Sequence, residues 1–219
     1  MSKLMTKAAF MSHLKDEQSF LVGGFMACGT PEKLIDWIVE SNIQDITIIC
    51  NDAGFPDRGV GKLIKNNQVK HLIASHIGLN PYAGSQMSEG LLSVDLVPQG
   101  TLAERIRAFG AGLGGVLTPT GLRTIVEADK QIISVKDKDY LLETALGADV
   151  ALIEAEQSDS LGNLTYAKTA RNFNPVMATA AKKVFALVHN HVDIIDPECV
   201  ITPHVFIDFV IDGGANHER

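Results

Sequence analysis

The stretch LVGGFMACGTPEKLIDWIVE, Leu21 to Glu40, passes from apolar residues through a cluster of small ones into an amphipathic helix. The apolar run ends at Val22, Gly23 and Gly24 follow, and the helix signal begins at Thr30 and Pro31. This order reads as strand, turn, helix. Thr30 suits the N-cap, where its hydroxyl can accept from a free amide of the first turn. Pro31 suits the first helical position because it has no N–H to leave unpaired. Glu32 then lies near the positive end of the helix dipole. Leu34 with Ile38, and Ile35 with Val39, stand one turn apart and make the stripe that packs the helix on a sheet. Gly23, Gly24 and Gly29 remove side chains where the backbone turns, so amides can approach a phosphate or a long thin chain beyond the strand ends. The same glycines also suit a tight turn with no ligand, and the loop alone leaves both readings open. It is not a P-loop, since no Gly-Lys-Ser/Thr follows.

Working outward, β-rich runs alternate with helix-like segments: SFLVGGF, DITIICN, HLIASHI and LLSVDLVP, then DVALIEAE and KVFALVH. That alternation predicts an α/β fold with an open, mostly parallel sheet flanked by helices. Helices are expected at Pro31 to Ser41, Val60 to Asn66 and Leu102 to Phe109. Between Thr124 and Leu142 polar and apolar residues alternate around a charged turn at Lys136 to Asp139, which predicts a β-hairpin inserted in the fold. No internal repeat, long linker or domain boundary emerges, so residues 1–219 read as one domain with a frayed tail, GGANHER.

Of 219 residues, 46% are hydrophobic, enough for one good core. The 19 basic and 26 acidic residues give a net charge of -7, and no dense Lys/Arg run tracks a phosphate backbone, which argues against a nucleic-acid partner. No run approaches the ~18 apolar residues of a membrane span, and the N-terminus lacks a secretory pattern. Cys28, Cys50 and Cys199 are odd in number and far apart, as expected of reduced cysteines in a cytoplasm.

Other motifs say less. GAGLGG, Gly110 to Gly115, spells a dinucleotide fingerprint, but a charged helical segment precedes it where a strand is needed. His189 and His191 in HNH point the same way on a strand, with Asp193 nearby, yet an exposed strand end explains them better than a metal site. DSLGN around Ser160 lacks the first glycine of a nucleophile elbow.

Five segments taken together, VGGFMACGTPEKLI, ITIICNDAG, HLIASHIGLNP, VPQGTLAERIRAFGAGLGGVLTPTG and LGNLTYAKTARNFNPVMATAA, resemble the α subunit of family I coenzyme A transferases of the acetate or acetoacetate type. The resemblance spans about residues 20 to 182; G-G-F-x-x-x-G-x-P is a specific signature, and PQGTLAERIR leading into the glycine loop is as informative. It implies an open α/β fold and transfer of coenzyme A (CoA) from a short-chain acyl-CoA to a carboxylic acid. CoA is then a substrate, and no metal or redox cofactor is implied.

The family's nucleophilic glutamate lies on a β subunit in a Ser-Glu-Asn-Gly segment. This chain has only SEG at Ser88 to Gly90, so no catalytic residue is assigned to it and a β partner is implied, in an α2β2 or similar assembly. The resemblance assigns Gly23, Gly24, Phe25, Met26, Ala27, Cys28, Gly29 and Thr30 to a CoA-binding loop. It makes Gln99 and Asn51 the candidate substrate contacts, with Gly110 to Gly115 bordering the same site. Phe109, Arg123 and His204 depart from the family pattern. A sugar-phosphate isomerase or deaminase of similar architecture, using the glycine loops for phosphate, is the alternative.

Overall fold

The computed structural model describes residues 3–214. A sheet runs through the molecule in the order β11-β10-β8-β1-β2-β3-β4, and every neighbouring pair on that path is parallel. In chain order its strands are β1 (Ser19–Val22), β2 (Ile46–Cys50), β3 (Val69–Ala74), β4 (Ser93–Leu96), β8 (Ala148–Ser158), β10 (Ala181–His191) and β11 (Phe209–Asp212). Short β9 (Leu164–Thr165) pairs antiparallel with β8.

Because side chains alternate across a strand, β1 feeds two separate cores. Phe20 and Val22 join Leu34, Ile35 and Ile38 of helix α2 (Glu32–Ser41) on one face, together with residues of α1 (Lys7–Met11), α3 (Gly61–Lys65) and α4 (Pro81–Ser88). Leu21 faces the other way, toward Leu102 and Ile106 of α5 (Gln99–Gly110) and Met177 of α6 (Asn174–Met177). Leu34, Ile35 and Ile38 are fully buried, each contributing roughly 1.5–3 kcal/mol of apolar burial to seating α2. α2 ends at Asn42, whose left-handed backbone (φ 54°) closes the helix.

The hairpin expected between Thr124 and Leu142 forms in its second half, where β6 (Ile132–Val135) and β7 (Lys138–Thr144) pair across a two-residue turn. Lys136 and Asp137 take φ of 48° and 60°, the left-handed pair such a turn needs. β5 (Gly115–Thr118) pairs with β7 and makes the hairpin a three-stranded antiparallel sheet. The first half is not strand: Thr124 caps a 3-10 turn at Ile125–Glu127. Arg105 ties this small sheet to α5 by donating from Nε to the Thr144 carbonyl at 2.7 Å.

Three helices, α1, α4 and α6, stand where none is read from the sequence, and α5 begins at Gln99 rather than Leu102, with Pro98 at its N-cap. The fraying expected of the tail falls mostly on residues 215–219, outside the described residues. Among the described residues no helix is long and apolar enough to cross a membrane.

Candidate functional site

The C-terminal ends of β1 and β2 open into two loops of one design, which corrects the expectation of no internal repeat. G-F-x-x-x-G occurs at Gly24 to Gly29 and again thirty positions later at Gly54 to Gly59, each time between a strand and a helix. In the first loop Phe25 and Cys28 exchange backbone hydrogen bonds of 3.0 and 2.9 Å, and in the second Phe55 and Arg58 do the same at 3.2 and 3.1 Å. Both loops are therefore two-residue hairpins, bounded by glycines with positive φ. At the first tip Met26 and Ala27 hold φ of 47° and 64°, and Phe25 and Met26 stand exposed.

Neighbouring side chains fix the first loop from both sides. Asn174, wholly buried, donates from Nδ2 to the carbonyls of Gly29 (2.9 Å) and Ala170 (2.8 Å), and its Oδ1 accepts from the Glu154 amide (3.1 Å). Asn172 donates to the Cys28 carbonyl at 2.9 Å. This clamp explains the glycines: a Cβ on Gly23 would lie 1.8 Å from Asn174 Oδ1, and one on Gly29 would lie 2.7 Å from the Ala170 carbonyl oxygen. On the opposite side Asp52 Oδ2 accepts from the Met26 amide at 2.8 Å, while Asp52 Oδ1 accepts from the Gly54 amide at 2.9 Å. A single carboxylate thus joins the two loops.

Gln99 and Asn51, far apart in sequence, are in direct contact, the Gln99 Nε2 amide donating to Asn51 Oδ1. Asn51 Nδ2 donates in turn to Asp52 Oδ2 at 2.7 Å. Ser75 Oγ lies 2.7 Å from the Asn51 carbonyl and within hydrogen-bond reach of Gln99 Oε1. Asn51 and Asp52 are buried, whereas Gln99, at the start of α5, is exposed. An exposed amide backed by a buried polar chain is suited to meeting a substrate oxygen.

Thr30 does not cap α2. Pro31 occupies the N-cap position with no side-chain cap, and Thr30 turns inward, where a Cβ on Gly24 would meet its Oγ1 at 1.9 Å. The helix start is also not left open to an anion. Glu32 accepts from the Gly59 amide at 2.8 Å and pairs with Lys62 at 2.6 Å. Glu154 stands near enough for Glu32 to act on its charge, and its carboxyl is raised above the usual range, chiefly by burial. Lys62 offsets the Glu32 charge and burial favours the neutral form of Glu154, so charge at the helix start does not choose between a phosphate and a thin, uncharged chain. The cavity between the two loops, lined by Gly24, Thr30, Asn51 and Asp52, measures about 10 Å³, room for roughly one water. Any larger ligand has to lie along the open rim.

The sequence profile of the coenzyme A transferase family matches residues 3–213. The chain belongs to that family. Across 204 residues it is 52% identical to a probable coenzyme A transferase subunit alpha of Bacillus subtilis strain 168, covering 92% of this chain and 89% of that one. Across 216 residues it is 50% identical to the acetoacetyl-CoA:acetate/butyrate CoA transferase alpha subunit of Clostridium acetobutylicum, covering 98% and 99%. An acyl-CoA transferase of Escherichia coli O157:H7, solved as a thioester complex with CoA, has the same fold, with a TM-score of 0.86 at 21% identity. That match covers 96% of this chain and 47% of the other, so this chain spans about half of that longer protein. Membership in an enzyme family that transfers coenzyme A replaces the sugar-phosphate alternative.

In this coenzyme A transferase chain, Gly110 to Gly115 begins at the end of α5 opposite Gln99. α5 carries Gly110 about 16 Å along its axis from Gln99, at ~1.5 Å per residue, and there a Cβ on Gly110 would strike Thr179 Oγ1. SEG is a helix end: Ser88 closes α4, Glu89 caps it and Gly90 turns left-handed. Glu104 pairs with Arg107 at 3.2 Å on the exposed side of α5. His189 lies 3.2 Å from Glu154, and among the described residues no three His, Cys, Asp or Glu side chains gather as a metal site. The transferase fold also depends on residues that the sequence reading did not single out, namely Asp52, Ser75 and Asn174. The repeat of G-F-x-x-x-G was the available signal for Asp52, since it marks the second loop just after it.

Proposed function

We propose that this chain is the α half of a transferase that moves CoA from a short-chain acyl-CoA to a carboxylic acid of the acetate, butyrate or acetoacetate class. It works as one domain, in the cytoplasm, with a β subunit in an α2β2 or similar assembly. Gly23 to Thr30 receives the pantetheine arm of CoA, with exposed Phe25 and Met26 against its apolar stretches. Gln99 and Asn51 bind the reacting acyl or carboxylate oxygen. CoA is the substrate, and no metal or redox cofactor takes part.

The nucleophile is a glutamate of the β subunit. It attacks the thioester carbonyl, giving an acyl-glutamyl anhydride and CoA thiolate. The thiolate then attacks the glutamyl carbonyl, releasing the first acid and leaving CoA on the glutamate as a thioester. The second carboxylate repeats the sequence in reverse and departs as its CoA ester. Water would hydrolyse both intermediates, so the reacting centre has to be enclosed.

One observation carries this reading: the two glycine loops, with Asn51 and Asp52, enclose a cavity of only about 10 Å³, against the 300 Å³ or more (~300–1,000 Å³) of a closed ligand site, and Gln99 stands exposed beside Asn51. That is half a site, shaped for a partner to close. The test is exchange between acetoacetyl-CoA and acetate, measured with this chain alone and with a co-expressed β subunit. Turnover is expected only from the pair, and full turnover by the chain alone would overturn the division of labour.

A further inference from the structure

We propose that Asp52 is a positioning residue that sets which way the Gln99 amide faces, an inference resting on the reading of Gln99 as the substrate-facing group. A carboxylate only accepts hydrogen bonds, whereas an Asn or Gln side chain donates at one end and accepts at the other. Asp52 Oδ2, 2.7 Å from Asn51 Nδ2, therefore fixes the nitrogen end of Asn51 toward itself and turns Oδ1 toward Gln99. Asn51 Oδ1 can only accept, so the nitrogen of Gln99 must meet it. Ser75 Oγ has a single proton, shared between the Asn51 carbonyl at 2.7 Å and Gln99 Oε1, so the direction of Gln99 is set at its Asn51 end. One Nε2 hydrogen of Gln99 is thereby spent on Asn51, and the second has no partner among the described residues.

The direction matters chemically. As the thioester carbonyl is attacked its oxygen gains negative charge, and an N–H at that point stabilises it. A reversed Gln99 would present Oε1, which repels it. Asp52 is suited to enforce the direction because it is itself immobile: it is buried and takes hydrogen bonds from the Met26 and Gly54 amides as well as from Asn51. Asn in its place could lie either way round, and the polarity of the chain of amides would no longer be determined.

The experiment uses the assembled enzyme with its β subunit, comparing wild type, Asn51→Ala, Asp52→Asn and the double variant in acetoacetyl-CoA/acetate exchange. Asp52→Asn should lower kcat at least tenfold, toward the ~10²-fold loss that follows removal of an oxyanion donor, while KM for acetoacetyl-CoA stays within about twofold. In the double variant Asp52→Asn should cost nothing beyond Asn51→Ala, because it acts through Asn51. Losses that multiply, or a raised KM at unchanged kcat, would assign Asp52 to tethering the loops and overturn the proposal. Should Asp52→Asn fail to fold, Asn51→Ala decides, since it breaks the route by which Asp52 reaches Gln99. Lower kcat at constant KM supports the proposal, and unchanged kcat overturns it. A wild-type assembly without exchange would instead reject the functional reading itself.

Discussion

At Gly24 two constraints meet that no other residue type satisfies. Its φ is +119°, and a Cβ there would come within 1.9 Å of Thr30 Oγ1. Gly24→Ala should therefore lower stability by about 1–3 kcal/mol through backbone strain and overlap. Thermal unfolding checks that loss, and KM for acyl-CoA in the assembled enzyme should rise because the loop must shift. Gly23, Gly24 and Gly29 were legible as turn residues because glycine reports local backbone demands. Asn174 and Asp52 were not, since their roles arise from contacts across the fold. Asn174 reaches Gly29 from 145 positions away, and Asp52 reaches Met26 from 26. A lone Asn or Asp carries no periodicity that would announce such a bond.

Among the elements, the strands and α2 were readable because each buries an apolar face whose spacing shows in the sequence. α4 was not, because PYAGSQMS buries only Ala83 and Gln86. Gln86 holds its place by donating to the Ile64 carbonyl at 2.8 Å and to Asn67 Oδ1 at 2.9 Å, a polar anchorage that hydrophobic patterning misses. α1 was missed for a related reason, Phe10 being its one buried residue. The start of the sheet is tied by another polar device. Asp149 at the head of β8 accepts from the hydroxyl (2.8 Å) and amide (3.2 Å) of Ser19 on β1, and Lys182 on β10 donates to it at 2.8 Å.

Lys182, then Ser19, lower the Asp149 carboxyl to about 2. A carboxyl lower in the fold than in the unfolded chain adds stability that is complete above about pH 4 and disappears as pH falls through the folded value. Asp149→Asn should therefore melt below wild type at neutral pH. That deficit should shrink between about pH 4 and pH 2, as followed by melting temperature across the series.

For the whole molecule, the α/β class and mostly parallel sheet were evident from the alternation of strand-like and helix-like segments, and five matched segments pointed to coenzyme A transferases. The close apposition of the two glycine loops was not evident, because it depends on β1 and β2 being neighbours in the sheet. That pairing sets loops and amides on one rim and leaves the rim open, as suits the proposed nucleophile on a β subunit. The most direct test is to incubate the assembled enzyme with acetoacetyl-CoA, quench it, and locate the covalently bound CoA by peptide mass spectrometry. The CoA should be found on a glutamate of the β subunit, with this chain unmodified; CoA on any residue of this chain would contradict the account.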